Sequence, residues 1–211
     1  MTLELHLRQE RLNAWTHGVG ALLSLVGGTI LVALAATRGD EWRLVGAAVF
    51  GIALLLVYTS STLYHSARDP VAKRRLKIFD HCAIYVLIAG SYTPFAIVGL
   101  RGHGGGWLLA TVWALAAAGI VFKLFFTGRF KGVSTAIYLA MGWLAVAEAK
   151  PMIAYLTPAT LAWLLAGGLL YSAGTLFYLN RRLHHAHAIW HGFVLLGSGC
   201  HFVAVSLLVL I

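Results

Sequence analysis

The feature that most constrains the fold of this chain is a succession of long apolar runs that together occupy most of its length. Of the 211 residues, 60% are hydrophobic and only 11% are charged, whereas about half of a soluble domain is apolar. An apolar helix of about 20 residues spans the hydrocarbon core of a bilayer, so seven such helices with short connections nearly fill the chain. The sequence therefore predicts an all-α polytopic membrane protein, a seven-transmembrane-helix bundle that forms a single domain over residues 1–211.

The apolar runs also set the boundaries of the predicted spans. These are residues 14–36, 43–65, 78–100, 107–126, 133–149, 159–179 and 188–211. The polar residues 1–13 lack the short apolar core of a cleavable signal peptide and predict a short amphipathic helix at the membrane surface. In the first span Gly20, Ser24 and Gly28 recur every four residues, a spacing that favours close helix packing.

Prolines mark the predicted irregularities. Pro94 predicts a kink in the third span or an early end to it. Pro151 and Pro158 bracket the predicted turn before the sixth span. The fifth span, between residues 133 and 149, is consequently the shortest of the seven.

The distribution of positive charge predicts the orientation in the membrane. The amino-terminal segment and the connections after spans two, four and six carry most of the 16 Lys and Arg residues. Because positive residues accumulate in cytoplasmic loops, the amino terminus is predicted to be cytoplasmic and the carboxyl terminus outside. The net charge of +9 is thus explained by topology in the cell membrane, and nucleic acid is excluded as a predicted partner.

The two cysteines carry no recognisable chemistry. Cys82 and Cys200 both lie within apolar segments and lack metal-type spacing. We interpret both as packing residues, and the sequence gives no basis for a disulfide.

The first candidate for a functional motif is HHAHAIWH, from His184 to His191, where the last apolar run begins. His187 and His191 are four residues apart, so on a helix both rings face one side and can bind a single metal ion. A polar pair facing hydrocarbon is unfavourable, and the pair is therefore predicted to face the protein interior or a cavity.

Topology brings further polar residues to the same membrane depth. The second span ends at His65, with Ser61 one helical turn earlier, and the third span begins near Asp80. We predict that His65, His187 and His191 bind Zn²⁺, because three protein ligands and an open position are typical of catalytic zinc. Asp80 is the predicted general base, and Ser61 the group that holds Asp80 or the substrate oxygen.

The other histidines admit less specific interpretations, since a single histidine at the end of a span is usually an interfacial or packing residue. His184 is a rival third ligand, one turn before His187. His81 lies about 100° around the helix from Asp80 and is predicted to face elsewhere. His201 lies about 15 Å deeper than His191, where it lines a cavity or bonds to a neighbouring helix.

A second polar cluster precedes the first span. Asn13 there is a good candidate for a helix N-cap, although the acidic residue of a capping box is absent. The alternative interpretation, which we favour, is that Glu10, Asn13 and His17 brace the cytoplasmic end of the bundle near the metal site.

Together these residues form three blocks that resemble the progestin and adipoQ receptor family, and in particular its bacterial hemolysin III branch. The resemblance extends from residue 10 to the end of the chain. The blocks are Glu10-x-x-Asn13-x-x-x-His17, Ser61-x-x-x-His65 followed by Asp80, and His187-x-x-x-His191.

The resemblance implies a zinc ion near the cytoplasmic face, bound by His65, His187 and His191, with Asp80 and Ser61 around the zinc-bound water. Adiponectin receptors and alkaline ceramidases share this plan, which implies hydrolysis of a lipid amide such as ceramide. The branch is associated with membrane-fluidity homeostasis and its name with haemolysis, but no pore-forming pattern is evident in the sequence. The chain begins without the long soluble region of the animal receptors, so a hormone receptor is not favoured.

Three functions therefore compete. The first is a zinc-dependent lipid amidase that takes a membrane lipid as substrate. The second is a non-enzymatic membrane sensor in which zinc only ties spans two and seven together. The third is a haem or transport protein, although an i, i+4 pair on one helix suits a single small ion better than a haem iron.

Overall fold

The computed structural model describes residues 3–180 and 182–211. Within them the chain forms eight α-helices and no strand. The helices are α1 (Leu3–Ala36), α2 (Glu41–Ser66), α3 (Pro70–Pro94), α4 (Gly105–Phe126), α5 (Lys131–Gly142), α6 (Ala149–Tyr155), α7 (Pro158–Leu179) and α8 (Ala186–Leu210). A π-helical segment, Phe95–Gly99, continues α3, and a 3-10 segment, Leu144–Glu148, joins α5 to α6.

Seven of the resulting segments are long and apolar enough to cross a membrane. Six are single helices, with the π-helical segment included in the third, and the remaining one runs from Lys131 to Tyr155 through α5, the 3-10 segment and α6. The prediction of an all-α protein with seven spans is confirmed. The orientation of the termini stays a prediction based on charge.

Helix α1 differs from its prediction. It is one 34-residue helix from Leu3 to Ala36, so residues 3–13 do not form a separate surface helix. No glycine or proline precedes Gly18 to interrupt it. A helix of this length measures about 51 Å, which exceeds the hydrocarbon core of about 30 Å, so its first turns project beyond that core. Asn13 is buried inside the helix and is not an N-cap.

Helix α3 begins eight residues before the predicted third span. The Asp69 side chain caps it by accepting a hydrogen bond from the Ala72 amide at 2.7 Å, and Pro70 occupies the first helical position. Both residues are favoured there, because the first turn has unpaired amides and needs no proline N–H. The basic connection is therefore largely helical, and Lys73 and Lys77 project from an ordered surface.

The fifth span is longer than predicted, because Pro151 does not end it. Pro151 is the third residue of α6, where the amide has no intrahelical partner and proline removes no hydrogen bond. The turn before α7 is confined to residues 156 and 157. As predicted, Pro94 ends α3, and the π-helical segment follows it.

Helices α1 to α4 pack against one another in chain order, α5 packs against α3 and α7, and α8 packs against α7 and α1, so the bundle closes on itself. The predicted stripe of small residues mediates the contact between α1 and α2. A Cβ built on Gly28 would lie 3.4 Å from the Cα atom of Gly51, and the reverse distance is also 3.4 Å. A Cβ at either position would touch the partner backbone, so the small residues here let the two helices pack closely. This interface fixes the position of α2 relative to α1, and with it the position of His65 in the last turn of α2.

The junction before α4 provides a test of this packing. A Cβ on Gly105 would lie 1.9 Å from the backbone oxygen of Ala96, whereas nothing lies within 4 Å of a Cβ on Gly106. We expect Gly105→Ala to lower the thermal unfolding temperature in detergent, because overpacking costs about 1–3 kcal/mol. Gly106→Ala is the matched control and should unfold like the wild type. Equal unfolding temperatures for both variants would contradict this packing.

Candidate metal centre

Three histidine side chains meet where α2 ends and where α3 and α8 begin, which we call the site end of the bundle. One ring nitrogen from each of His65, His187 and His191 lies within 4.8 Å of the other two. The ring centroids are 5.0 Å apart for His65 and His187, 5.2 Å for His65 and His191, and 4.6 Å for His187 and His191. The fold thus brings His65 next to two histidines that lie more than 120 positions later in the chain.

Local structure explains the arrangement. His65 lies in the last turn of α2. His185 has a positive φ of 59°, so the chain turns there and α8 begins at Ala186. His187 and His191 consequently occupy successive turns on one face of α8, as their spacing predicts.

The three residues fit a metal ion by their chemistry and by their burial. His65 is 5% exposed and His191 is 2% exposed. Both ring nitrogens of His65 are buried without a hydrogen-bond partner, although buried polar atoms are normally paired. Neutral imidazoles are good zinc ligands, so a bound cation would supply the missing partner.

The orientation of the His191 ring follows from its contact with α1. The Thr16 hydroxyl donates its single proton to the carbonyl of Asn13 at 2.9 Å. The same oxygen lies 3.1 Å from Nδ1 of His191, and because the hydroxyl proton is directed to Asn13 we assign Nδ1 as the donor in this contact. Nε2 of His191 is then unprotonated and available to a metal. Such partners commonly orient histidine ligands.

A second contact from α1 reaches His65. Oε2 of Glu10 lies 3.4 Å from Nδ1 of His65, and the same oxygen accepts a hydrogen bond from Lys73. Lys73 also donates to the Tyr64 carbonyl at 3.3 Å. The carboxylate of Glu10 therefore joins the first turns of α1 and α3 to the histidine at the end of α2.

His17, the third member of the amino-terminal motif, lies against the cluster as well. Its ring stacks on His191 with centroids 3.5 Å apart and an interplanar angle of 18°, and the Tyr58 ring meets it edge-on at 5.0 Å. Both nitrogens of His17 are buried and unpaired. All three residues of this motif thus lie at the site end, where the favoured sequence interpretation puts them.

Asp80 and Ser61 line an internal cavity of about 130 Å³, together with His17, His187 and His191. The two predicted catalytic groups and two of the predicted ligands therefore share one space. The cavity extends away from the site end between α3, α5, α7 and α8, and most of its wall is apolar or aromatic.

His81 is a neighbour of Asp80 that the sequence interpretation missed. Its Nδ1 lies 3.5 Å from Oδ2 of Asp80 and 2.8 Å from the Lys77 carbonyl. The prediction that His81 faces elsewhere is wrong in this respect, since the two side chains lie 3.5 Å apart. The sequence signal that could have indicated this contact is that Asp80 and His81 are adjacent in the chain.

His184, His185, His103 and His201 lie outside the cluster. His184 and His185 are exposed before α8 begins, so the rival ligand His184 is not brought to the site. His103 stacks on Tyr155 at 3.7 Å at the opposite end of the bundle. His201 lines the cavity wall, which is one of its two predicted roles.

A second cavity, of about 290 Å³, adjoins the first. The two share six residues of their walls, which are Ser91, Tyr92, Gly142, Trp143, Gly168 and His201. The second cavity is almost wholly apolar and lies between the broken fifth span and α7, where Val146, Ile153 and Leu165 are exposed on the outer surface of the bundle.

The fold and the site define an integral membrane protein with seven spans and a buried histidine cluster beside an internal cavity. A family model described as haemolysin-III related matches residues 5–202. The chain belongs to this family.

Named relatives agree with that assignment. The chain is 49% identical to the hemolysin-3 homolog of Bacillus subtilis (strain 168) over 199 residues, which cover 94% of this chain and 93% of the relative. It is 46% identical to hemolysin-3 of Bacillus cereus over 204 residues, or 97% and 93% of the two chains. It is also similar to the human monocyte to macrophage differentiation factor, with 28% identity over 201 residues that cover 92% and 81%.

The contact between Thr16 and His191 gives a testable prediction. Thr16→Val removes the oxygen that accepts from Nδ1 of His191, so we expect zinc affinity to fall about 10- to 100-fold. Competition with a chromophoric chelator measures this. Thr37→Val is the matched control, since the Thr37 hydroxyl also donates to a carbonyl three residues earlier but lies at the other end of α1. Undiminished zinc affinity in Thr16→Val would contradict the assigned role.

Proposed function

We propose that this protein is a zinc-dependent hydrolase of lipid amides, ceramide-like in their chemistry, that serves lipid homeostasis in the cell membrane. The observation that supports the proposal is the shared cavity. Asp80 and Ser61 line it beside the imidazole cluster of His65, His187 and His191.

The three histidines would hold the metal, with His191 and His65 oriented by Thr16 and Glu10. Zinc, when bound, supplies a Lewis acid that activates water and polarises a carbonyl group near neutral pH. Burial of the cluster supports this assignment, because charge stabilisation is stronger where bulk water is excluded.

Asp80 is proposed to move the proton. Its carboxylate accepts a proton from the attacking water as the new C–O bond forms, and returns it to the amide nitrogen as the C–N bond breaks. The products are a carboxylic acid and an amine, and no redox partner is required. His81, whose Nδ1 lies 2.8 Å from the Lys77 carbonyl and 3.5 Å from Oδ2 of Asp80, packs beside that carboxylate. Ser61 is proposed to hold Asp80 or the substrate oxygen.

The shape and lining of the cavities support a lipid as the substrate. Asp80, Ser61 and the imidazoles of His187 and His191 lie at the site end of the first cavity, whereas the adjoining cavity is mostly apolar. An amphiphile would thus place its amide near Asp80 and its acyl chain toward Tyr92 and Trp143, where the two cavities meet. Such sites are typically apolar with a few polar groups that fix orientation.

A second function is favoured by a different observation. The cluster joins α2 to α8, and Thr16 and Glu10 add α1 to the same assembly. A zinc ion there would stabilise the packing of three helices even without turnover. The protein would then be a membrane sensor with structural zinc, and the same ligands would serve it.

Zinc content tests the part of the proposal that both functions share. We expect about one zinc per purified chain, and a large loss of zinc in His65→Ala and in His187→Ala, because each removes one of three ligands. Elemental analysis measures this. His103→Ala, at the opposite end of the bundle, is the control and should retain zinc. Unchanged zinc in both ligand variants would refute the site.

Asp80→Asn separates the hydrolase from the sensor. It preserves size and should retain zinc, but an amide cannot accept the proton, so we expect turnover of a fluorescent ceramide to fall by about 10²–10⁴. Glu41→Gln, an exposed acidic residue at the opposite end, should leave turnover unchanged. A zinc-replete wild type that hydrolyses no lipid amide would favour the sensor.

A further inference from the structure

Tyr178 lines the cavity from the last turn of α7, whereas Ser61 lines it from α2. Its ring lies 5.9 Å from the His187 ring and 5.3 Å from the Trp190 ring. It lines the same cavity as Asp80. The residue is therefore next to the proposed reaction centre but has no part in the functions assigned so far.

The Tyr178 hydroxyl differs from those of the other tyrosines that line this cavity. Tyr92 donates to the carbonyls of Met141 and Gly142, and Tyr138 donates to the carbonyl of His81. Tyr171 is paired with the Ser198 hydroxyl at 2.7 Å. Among the described residues, none forms a hydrogen bond with the hydroxyl of Tyr178, whose ring contacts are made by its faces and edges. Its O–H is thus available to a bound molecule.

Lys131 holds the Tyr178 ring and polarises it. Its ammonium group lies 3.8 Å from the ring centroid and donates to the Tyr178 backbone carbonyl at 2.5 Å. That carbonyl is in the last turn of α7, where helical carbonyls lack intrahelical partners. A cation over the ring face attracts π-electron density, which makes the phenol a stronger hydrogen-bond donor.

We propose that Tyr178 is a catalytic residue that donates a hydrogen bond to the carbonyl oxygen of the substrate, and that Lys131 is its positioning residue. This inference rests on the proposed hydrolysis of lipid amides. As water adds to the amide carbon, negative charge develops on the carbonyl oxygen. The phenol stabilises that charge and keeps its own proton, while the proton that reaches the leaving nitrogen travels through Asp80.

The location of Tyr178 suits this role better than a role in binding the metal. A neutral phenol is a hydrogen-bond donor, whereas the three histidines already provide a complete set of protein ligands for catalytic zinc. Ser61 on α2 and Tyr178 on α7 reach the cavity from different helices. A carbonyl between them can receive a donor on one side while Asp80 acts from α3.

Tyr178→Phe is the direct test, because it removes one oxygen and keeps the ring packed against Trp190. Loss of one oxyanion donor lowers kcat about 10²- to 10³-fold, so we expect that fall with zinc content and KM near the wild-type values. Tyr155→Phe removes a hydroxyl from an exposed ring at the opposite end of the bundle and is the control, with kcat expected to stay near the wild type. Equal kcat for wild type and Tyr178→Phe would overturn the proposal.

A binding probe keeps this test independent of turnover. Dodecanohydroxamic acid presents a carbonyl oxygen and an acyl chain, and its affinity for the zinc-loaded protein can be measured from the thermal shift in detergent. We expect Tyr178→Phe to bind it about tenfold more weakly, since one hydrogen bond contributes about 1–1.5 kcal/mol. A wild type that binds the probe but hydrolyses no amide refutes the hydrolase, and the affinity of Tyr178→Phe still decides the role of the phenol as a donor.

Lys131 is tested through its dependence on Tyr178. Lys131→Met should lower kcat in the wild type but add no further loss to Tyr178→Phe, because both act through one hydroxyl. Lys131→Arg, which retains the cation over the ring, should recover part of the activity. Equal losses from Lys131→Met in both backgrounds would show that Lys131 acts elsewhere and would overturn its positioning role.

Discussion

The structure of this protein depends on the burial of imidazole rings between helices that cross a membrane. An unpaired polar atom at such depth is unfavourable by about 1–3 kcal/mol, so each ring needs a partner that the fold or a bound ion provides. For His191 the fold provides Thr16, and for His65 it provides only the nearby carboxylate of Glu10. The unpaired nitrogens of His65 are the strongest structural reason to expect a cation between α2 and α8.

The same requirement explains why α1 is long and uninterrupted. A helix that ended at the membrane surface would leave Glu10 and Thr16 without a fixed relation to α2 and α8. Because α1 runs from Leu3 to Ala36 as one continuous helix, the contact of Gly28 with α2 also determines where the first turns of α1 lie. Packing deep in the bundle thereby fixes contacts at the site end.

Much of this could be predicted from the sequence. Apolar runs and i, i+4 spacing are local signals, and they gave the seven spans and the facing pair His187 and His191. Other features depend on contacts between distant segments. The pairing of Thr16 with His191 requires α1 and α8 to be adjacent, and the contact between His81 and Asp80 depends on side-chain torsions. Helix ends were wrong where proline lies in a first helical turn, as at Pro70 and Pro151, since proline there is compatible with a helix.

The interruption of the fifth span has a consequence for the whole wall of the cavity. Where α5 gives way to the 3-10 segment, the phenol of Tyr92 donates to the carbonyls of Met141 and Gly142 and accepts from the Ala145 amide. Backbone groups freed in a bilayer must be satisfied within the protein. The Tyr92 side chain thus replaces helical hydrogen bonds that are absent at the break in the fifth span. It also links α3 to that span. A variant without a hydrogen-bonding group at position 92 would therefore leave the backbone groups at the break in the fifth span without these partners.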